Sequence, residues 1–134
     1  MNYRSYISSR EWRAKHKQWL KAANYRCAMF PWVRVGQLPK GKYHRYAIHH
    51  MHYNSLGRER YWFDVLPLCP FAHDGILHGL LSGYRSASQQ KRFPNFAQIL
   101  VHAWMRIPGV LKEMSIVCLL ATAAIAIALQ FFSS

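Results

Sequence analysis

From residue 115 to residue 132 the chain runs eighteen positions without a charged side chain, and no other feature constrains the architecture as much. That length is at the short end of what crosses a bilayer core of about 30 Å. Nine of the positions are Leu, Ile, Val or Phe; at roughly −0.3 to −0.6 kcal/mol each they favour insertion by about 3–5 kcal/mol, partly offset by Gln130. The plainer reading is a buried core or oligomerisation helix, but a helix apolar all round beside so small a domain has little protein to hide in. A transmembrane helix over residues 110–132 is therefore expected. Arg106 and Lys112 precede the run and Ser133-Ser134 follow it, so the positive-inside rule predicts a single-pass, tail-anchored membrane protein with its N-terminal domain in the cytoplasm. Ala121, Ala124 and Ala128 offer a small-residue spacing through which the span can pack against itself or other membrane proteins, although alanine-rich spans often have it by chance.

The rest of the chain is basic. Eighteen Lys and Arg stand against five Asp and Glu, a net charge of +13, which points to a polyanionic partner, nucleic acid or an anionic lipid bilayer. Residues 1–45 hold eleven of the bases and one acid, Glu11. Three cysteines are too few for a disulfide-built secreted scaffold, and the N-terminal residues contain no stretch resembling a signal peptide. Ser8-Ser9-Arg10-Glu11 reads as a capping box, with the Ser8 hydroxyl and Glu11 carboxylate opening a helix over about 9–24. Its apolar face is Trp12, Trp19 and Ala23. Arg13, Lys17 and Lys21 form a basic stripe that in isolation reads first as a solvated face and, with Arg26, as a source of phosphate contacts.

Residues 25–48 place Gly36, Pro39 and Gly41 between Val-, Tyr- and Trp-rich runs and predict strands and a hairpin. A short helix after Pro67 would pack Ile76, Leu77, Leu80 and Leu81 inward. Residues 82–94 read as a basic polar linker. Residues 95–107 read as an amphipathic interfacial helix, apolar along Phe96, Ile99, Leu100 and Ala103, with Trp104 and Arg106 near its end. The fold class is α+β, with a compact domain over residues 1–81.

Chemistry concentrates in His49-His50-Met51-His52-Tyr53-Asn54-Ser55-Leu56-Gly57, Asp64-Val65-Leu66-Pro67-Leu68-Cys69 and Ala72-His73-Asp74-Gly75-Ile76-Leu77-His78. Five of the eight histidines fall here. Neutral imidazoles with a carboxylate are ligands for a divalent cation, and phosphodiester hydrolysis needs a metal to neutralise charge and a base to activate water.

The run resembles the HNH endonuclease family: a His-His pair, a Tyr and a Leu-Gly on the following loop, an acid five residues before a Cys, and a His four residues after that Cys. With Tyr6 to Trp12 and Asn24 to Cys27 as the lead-in, the resemblance covers about residues 3–81. It implies a small ββα-metal finger with one divalent metal ion (Mg, Mn, Ni or Zn). By position, His49 and His73 match metal ligands, and His50 matches the general base. Asp64 matches the middle catalytic position, which either completes the metal shell or braces the loop. Strand alternation would send His49 and His50 to opposite faces, so both reach one ion only if the strand ends or bends there. His52 and His78 read as packed or solvated rather than ligating.

Many relatives also hold a structural zinc with two Cys-x-x-Cys pairs. Here Cys27 and Cys69 are each half of a pair, so this zinc is expected to be absent, with Phe30 and nearby aromatics in its place. The resemblance therefore implies a membrane-tethered endonuclease hydrolysing DNA. The competing reading is a non-enzymatic membrane protein or complex subunit that uses a degenerate HNH core for nucleic-acid binding or assembly. In a third reading the basic charge simply coats anionic membrane.

Overall fold

The computed structural model describes residues 3–82 and 95–132; beyond Ser82, the expected linker lies outside the described residues. In chain order the elements are α1 (Tyr3–Ile7), α2 (Arg10–Ala22), β1 (Gly36–Gln37), β2 (Tyr43–His44), β3 (Ala47–His50), β4 (Val65–Leu68), α3 (Phe71–Leu80), α4 (Phe96–Arg106) and α5 (Gly109–Phe132). This is the expected α+β class. β1 pairs with β2 and β3 with β4, both antiparallel.

The first long helix starts one residue later than the capping-box reading places it. Ser8 ends α1, its Oγ donating back to Arg4 O at 3.0 Å, and so Ser9 becomes the cap of α2, its Oγ accepting from Trp12 N at 3.1 Å. Glu11 instead pairs with Lys15 at 3.5 Å. The buried face of α2 is Trp12, Trp19 and Leu20, and Ala23 is the C-cap. Asn24 and Tyr25 then turn the chain with φ of 50° and 53°, leading into the β1–β2 hairpin. Gly36 begins that hairpin at φ +78°, and the Leu20 Cδ1 methyl lies 2.7 Å from where a Cβ would stand; the close approach requires glycine there.

β3 and β4 pair in the register His49↔Leu66 and His50↔Val65. Pro67 is tolerated in β4 because the sheet has only two strands, and its carbonyl accepts from Ala28 N at 2.9 Å. Leu66, Leu68 and Val35 are fully buried with Leu20, Met51, Leu77 and Met105 in the larger core, and each fully buried aliphatic side chain contributes about 1.5–3 kcal/mol. A second cluster gathers Tyr6, Trp12, Trp19 and Val65.

α4, expected as an amphipathic interfacial helix, also packs on the domain. Its capping box is complete, with Asn95 and Gln98 bonding reciprocally, and one face docks on the domain. Gln98 Nε2 donates to Leu77 O at 3.2 Å, Trp104 Nε1 donates to Met29 O at 3.1 Å, and Met105 is fully buried. The face named from sequence, with Phe96, Ile99 and Leu100, is exposed. The sequence pattern identified the apolar stripe but not the mixed face that holds the helix down.

α5 is long and apolar enough to cross a membrane, and its apolar residues are largely exposed. Its base is locked to the domain. Lys112, expected as a flanking charge, is buried and donates to the carbonyls of Ala28 and Met105. Glu113 pairs with Arg26 at 3.2 Å, and Arg106 Nη2 donates to Phe63 O at 3.1 Å.

Candidate metal centre

β3, β4 and α3 form a hairpin followed by a helix, and three of their histidines meet. One ligand atom each from His49, His73 and His78 lies within 4.8 Å of the others. Two nitrogens held at about 2.0–2.1 Å by one ion stand no more than about 4.2 Å apart, so small side-chain rotations bring the three into range. The donor set suits a divalent ion of intermediate softness. His49 is buried on β3, His73 is half-buried and His78 is exposed, giving the group a closed side and an open side. Burial first, and then the neighbouring rings of His102, His73 and His78, hold His49 well below the ordinary histidine range, and hence neutral.

The meeting of His73 and His78 depends on how α3 is wound. Five residues along an α-helix turn by about 500°, leaving two side chains about 140° apart. α3 is a π-helix, in which each N–H reaches the fifth residue back, as Leu81 N does to Ile76 O at 2.8 Å. The ring centroids of His73 and His78 are consequently 4.5 Å apart. Such winding is rare and concentrates at functional sites. Gly75 and Gly79 weaken the α-helical alternative. From sequence His78 reads as a packed or solvated histidine close enough to be accessory; the His-x₄-His spacing around a glycine is the signal that places it beside His73.

Asp74 supplies a supporting contact, its Oδ1 lying 2.6 Å from His73 Nδ1. A carboxylate there fixes which ring nitrogen carries the proton and leaves Nε2 as the ligating atom.

Asp64 is not brought to the three imidazoles. It is fully buried at the start of β4, where its carboxylate accepts from Arg60 N at 2.8 Å and Arg60 Nε at 3.2 Å and lies 3.0 Å from His52 Nε2. Burial pushes its pKa up, but the hydrogen bonds from Arg60 outweigh this and hold it down at about 2. Of the two roles open to it, the geometry gives it the brace between the strands.

His50 is on the opposite face of β3. It stacks on Trp12 at 4.7 Å and on Tyr53 at 5.3 Å, its Nε2 makes no hydrogen bond, and Glu59 Oε1 is 3.9 Å away. Burial, only partly countered by Glu59, lowers its pKa to about 4. Glu59 itself is held by Tyr6 at 2.7 Å, Gly57 N at 2.7 Å and Lys15 at 3.1 Å. The strand does not bend to bring both histidines to one point, because pairing continues through His50↔Val65.

Among the basic residues, Arg13, Lys17 and Lys21 are exposed on α2. α2 reaches the sheet through Trp12 on the His50 side and the larger core through Leu20. Arg26 is engaged by Pro31 O at 2.6 Å and by Glu113 at 3.2 Å.

Cys27 and Cys69 are buried neighbours, Cys69 N donating to Cys27 Sγ at 3.3 Å, and both are free thiols. Burial raises the Cys27 thiol to about 11. Phe30 and Phe71 stack nearby at 6.1 Å.

No family model, no curated protein and no solved structure matches this chain.

Proposed function

We propose that this chain is a membrane-anchored, metal-dependent nuclease of the HNH type, with His49, His73 and His78 holding one divalent ion and DNA as its substrate. The observation that carries the reading is the convergence of His49 and His73, two positions matched by the resemblance, with His78 on a hairpin-plus-helix unit. A bound divalent ion there supplies charge neutralisation at a phosphodiester and lowers the pKa of water. The chain's own residues hold and orient: Asp74 fixes the His73 tautomer, and Asp64 with Arg60 and His52 stiffens the hairpin that presents His49. Arg13, Lys17 and Lys21 add sequence-independent phosphate attraction. α5 spans the bilayer as a tail anchor with the domain on the cytoplasmic side.

The burial of His50 favours a second reading, a membrane-anchored metal-binding module without hydrolytic activity, since a general base must come within hydrogen-bond reach of water. Plasmid nicking by the detergent-solubilised chain with Mg²⁺, Mn²⁺ or Ni²⁺ separates the two. The nuclease reading expects nicking that is abolished by His73→Ala. Inactivity with all three metals, or activity unchanged in His73→Ala, overturns it.

A further inference from the structure

We propose that His102 is a fourth ligand of this metal centre, so that docked α4 closes a site that β3 and α3 alone leave open. His102 as a ligand presupposes the three-imidazole centre, and it brings in a residue outside the HNH-like stretch. Its Nε2 lies 3.1 Å from His49 Nε2. That contact is a hydrogen bond between two imidazoles; two nitrogens on one tetrahedral zinc at about 2.0–2.1 Å stand about 3.3 Å apart, so an ion can replace the shared proton with little movement of either ring. The His102 ring centroid is 5.2 Å from that of His49, against 5.6 Å for His73 and 5.8 Å for His78, so three rings surround His49. His102 lies outside the group whose ligand atoms are all within 4.8 Å of one another and joins it by closing on His73 and His78 when the ion binds.

The register of α4 is fixed independently of His102. Asn95 Nδ2 donates to Leu81 O, Gln98 to Leu77 O, and Trp104 to Met29 O. Two of these acceptors belong to α3 or its C-cap, so the helix carrying His73 and His78 and the helix carrying His102 are clamped together.

The consequence is control of access. A closed four-ligand set is the structural type of site, whereas three ligands leave a position for water or substrate. α4 continues through Ile107 and Pro108 into α5, so a displacement of the apolar helix that lifts α4 withdraws His102 and opens the position. The docked arrangement is the closed state.

The test is Co²⁺ binding to the full chain in detergent micelles, read by visible absorption and by competition with Zn²⁺. Wild type should give the intense spectrum of a four-coordinate site. His102→Asn should bind about tenfold or more weakly, with a changed spectrum. Gln98→Ala, which loosens docking and removes no ligand, should shift affinity and spectrum the same way by less. If His73→Asn abolishes binding while His102→Asn keeps wild-type affinity and spectrum, His102 is not a ligand and the three-imidazole centre stands. If wild type binds no Co²⁺, both fall. Circular dichroism shows whether His102→Asn is folded; if it is not, an unchanged spectrum and affinity in Gln98→Ala overturns the role of α4.

Discussion

His49 and His50 are neighbours in β3 and occupy opposite environments. His49 faces a group of imidazoles that opens to solvent at His78, whereas His50 is sandwiched between Trp12 and Tyr53. The backbone is the same and only the parity differs. One face carries chemistry that metal binding would use, and the other carries the aromatic packing that fixes α2 to the hairpin. A paired strand cannot offer both histidines to one ion, so chemistry on the His49 face has to recruit its further groups from helices, and α3 and α4 are where they come from.

The two faces should respond to different perturbations. Trp12→Ala strikes the packing face and is expected to destabilise the fold by about 3–5 kcal/mol, measured by urea unfolding, while the metal affinity of the remaining folded protein stays within about threefold. A large affinity loss would mean that the faces are coupled.

Asp64→Asn tests the hairpin that both faces share. The folded pKa of about 2 lies below the ordinary 3.8, so the carboxylate contributes stability above pH 3.8 that disappears as pH falls through about 2. At 1.36 kcal/mol per unit that contribution is on the order of 2 kcal/mol. Urea midpoints at pH 7 should therefore drop in the variant, and the wild-type advantage should vanish near pH 2. Metal affinity should hold within about threefold, whereas a hundredfold loss would restore Asp64 as a ligand.

Asp74→Asn touches only the imidazole face and should weaken metal binding by about tenfold through the loss of a carboxylate on His73, with little change in unfolding. Calorimetric titration of Zn²⁺ measures it. The smallest effect expected is at the N-cap of α2, on the packing side: Ser9→Ala should cost about 1 kcal/mol and Ser8→Ala close to nothing. Equal costs would return the cap to Ser8.

Much of this was legible in the sequence because it depends on local patterns. The uncharged run pointed to α5, and strand and turn residues pointed to the β1–β2 hairpin. His49 and His73 were marked by the resemblance, and strand alternation set the condition, an end or bend of the strand, that the unbroken pairing at His50 does not meet. What escaped depends on tertiary context. α3 is not wound at the α-helical period that an amphipathic reading presumes, and that winding is what brings His78 beside His73. Asp64 is drawn off by Arg60, four residues earlier, a competition that ligand spacing does not reveal. His102 lies in a segment whose apolar stripe suggested lipid, and only the docking bonds of Gln98 and Trp104 show that its other face meets the domain. Lys112 was read by charge alone, whereas the carbonyls of Ala28 and Met105 bury it.

Zinc titration of the full chain in micelles, with wild type, His73→Ala and His50→Phe side by side, tests the centre most directly. One ion per chain is expected, bound with similar affinity by wild type and His50→Phe and at least about a hundredfold more weakly by His73→Ala. Absence of saturable binding, or a His73→Ala titration that overlays wild type, would contradict the three-imidazole centre.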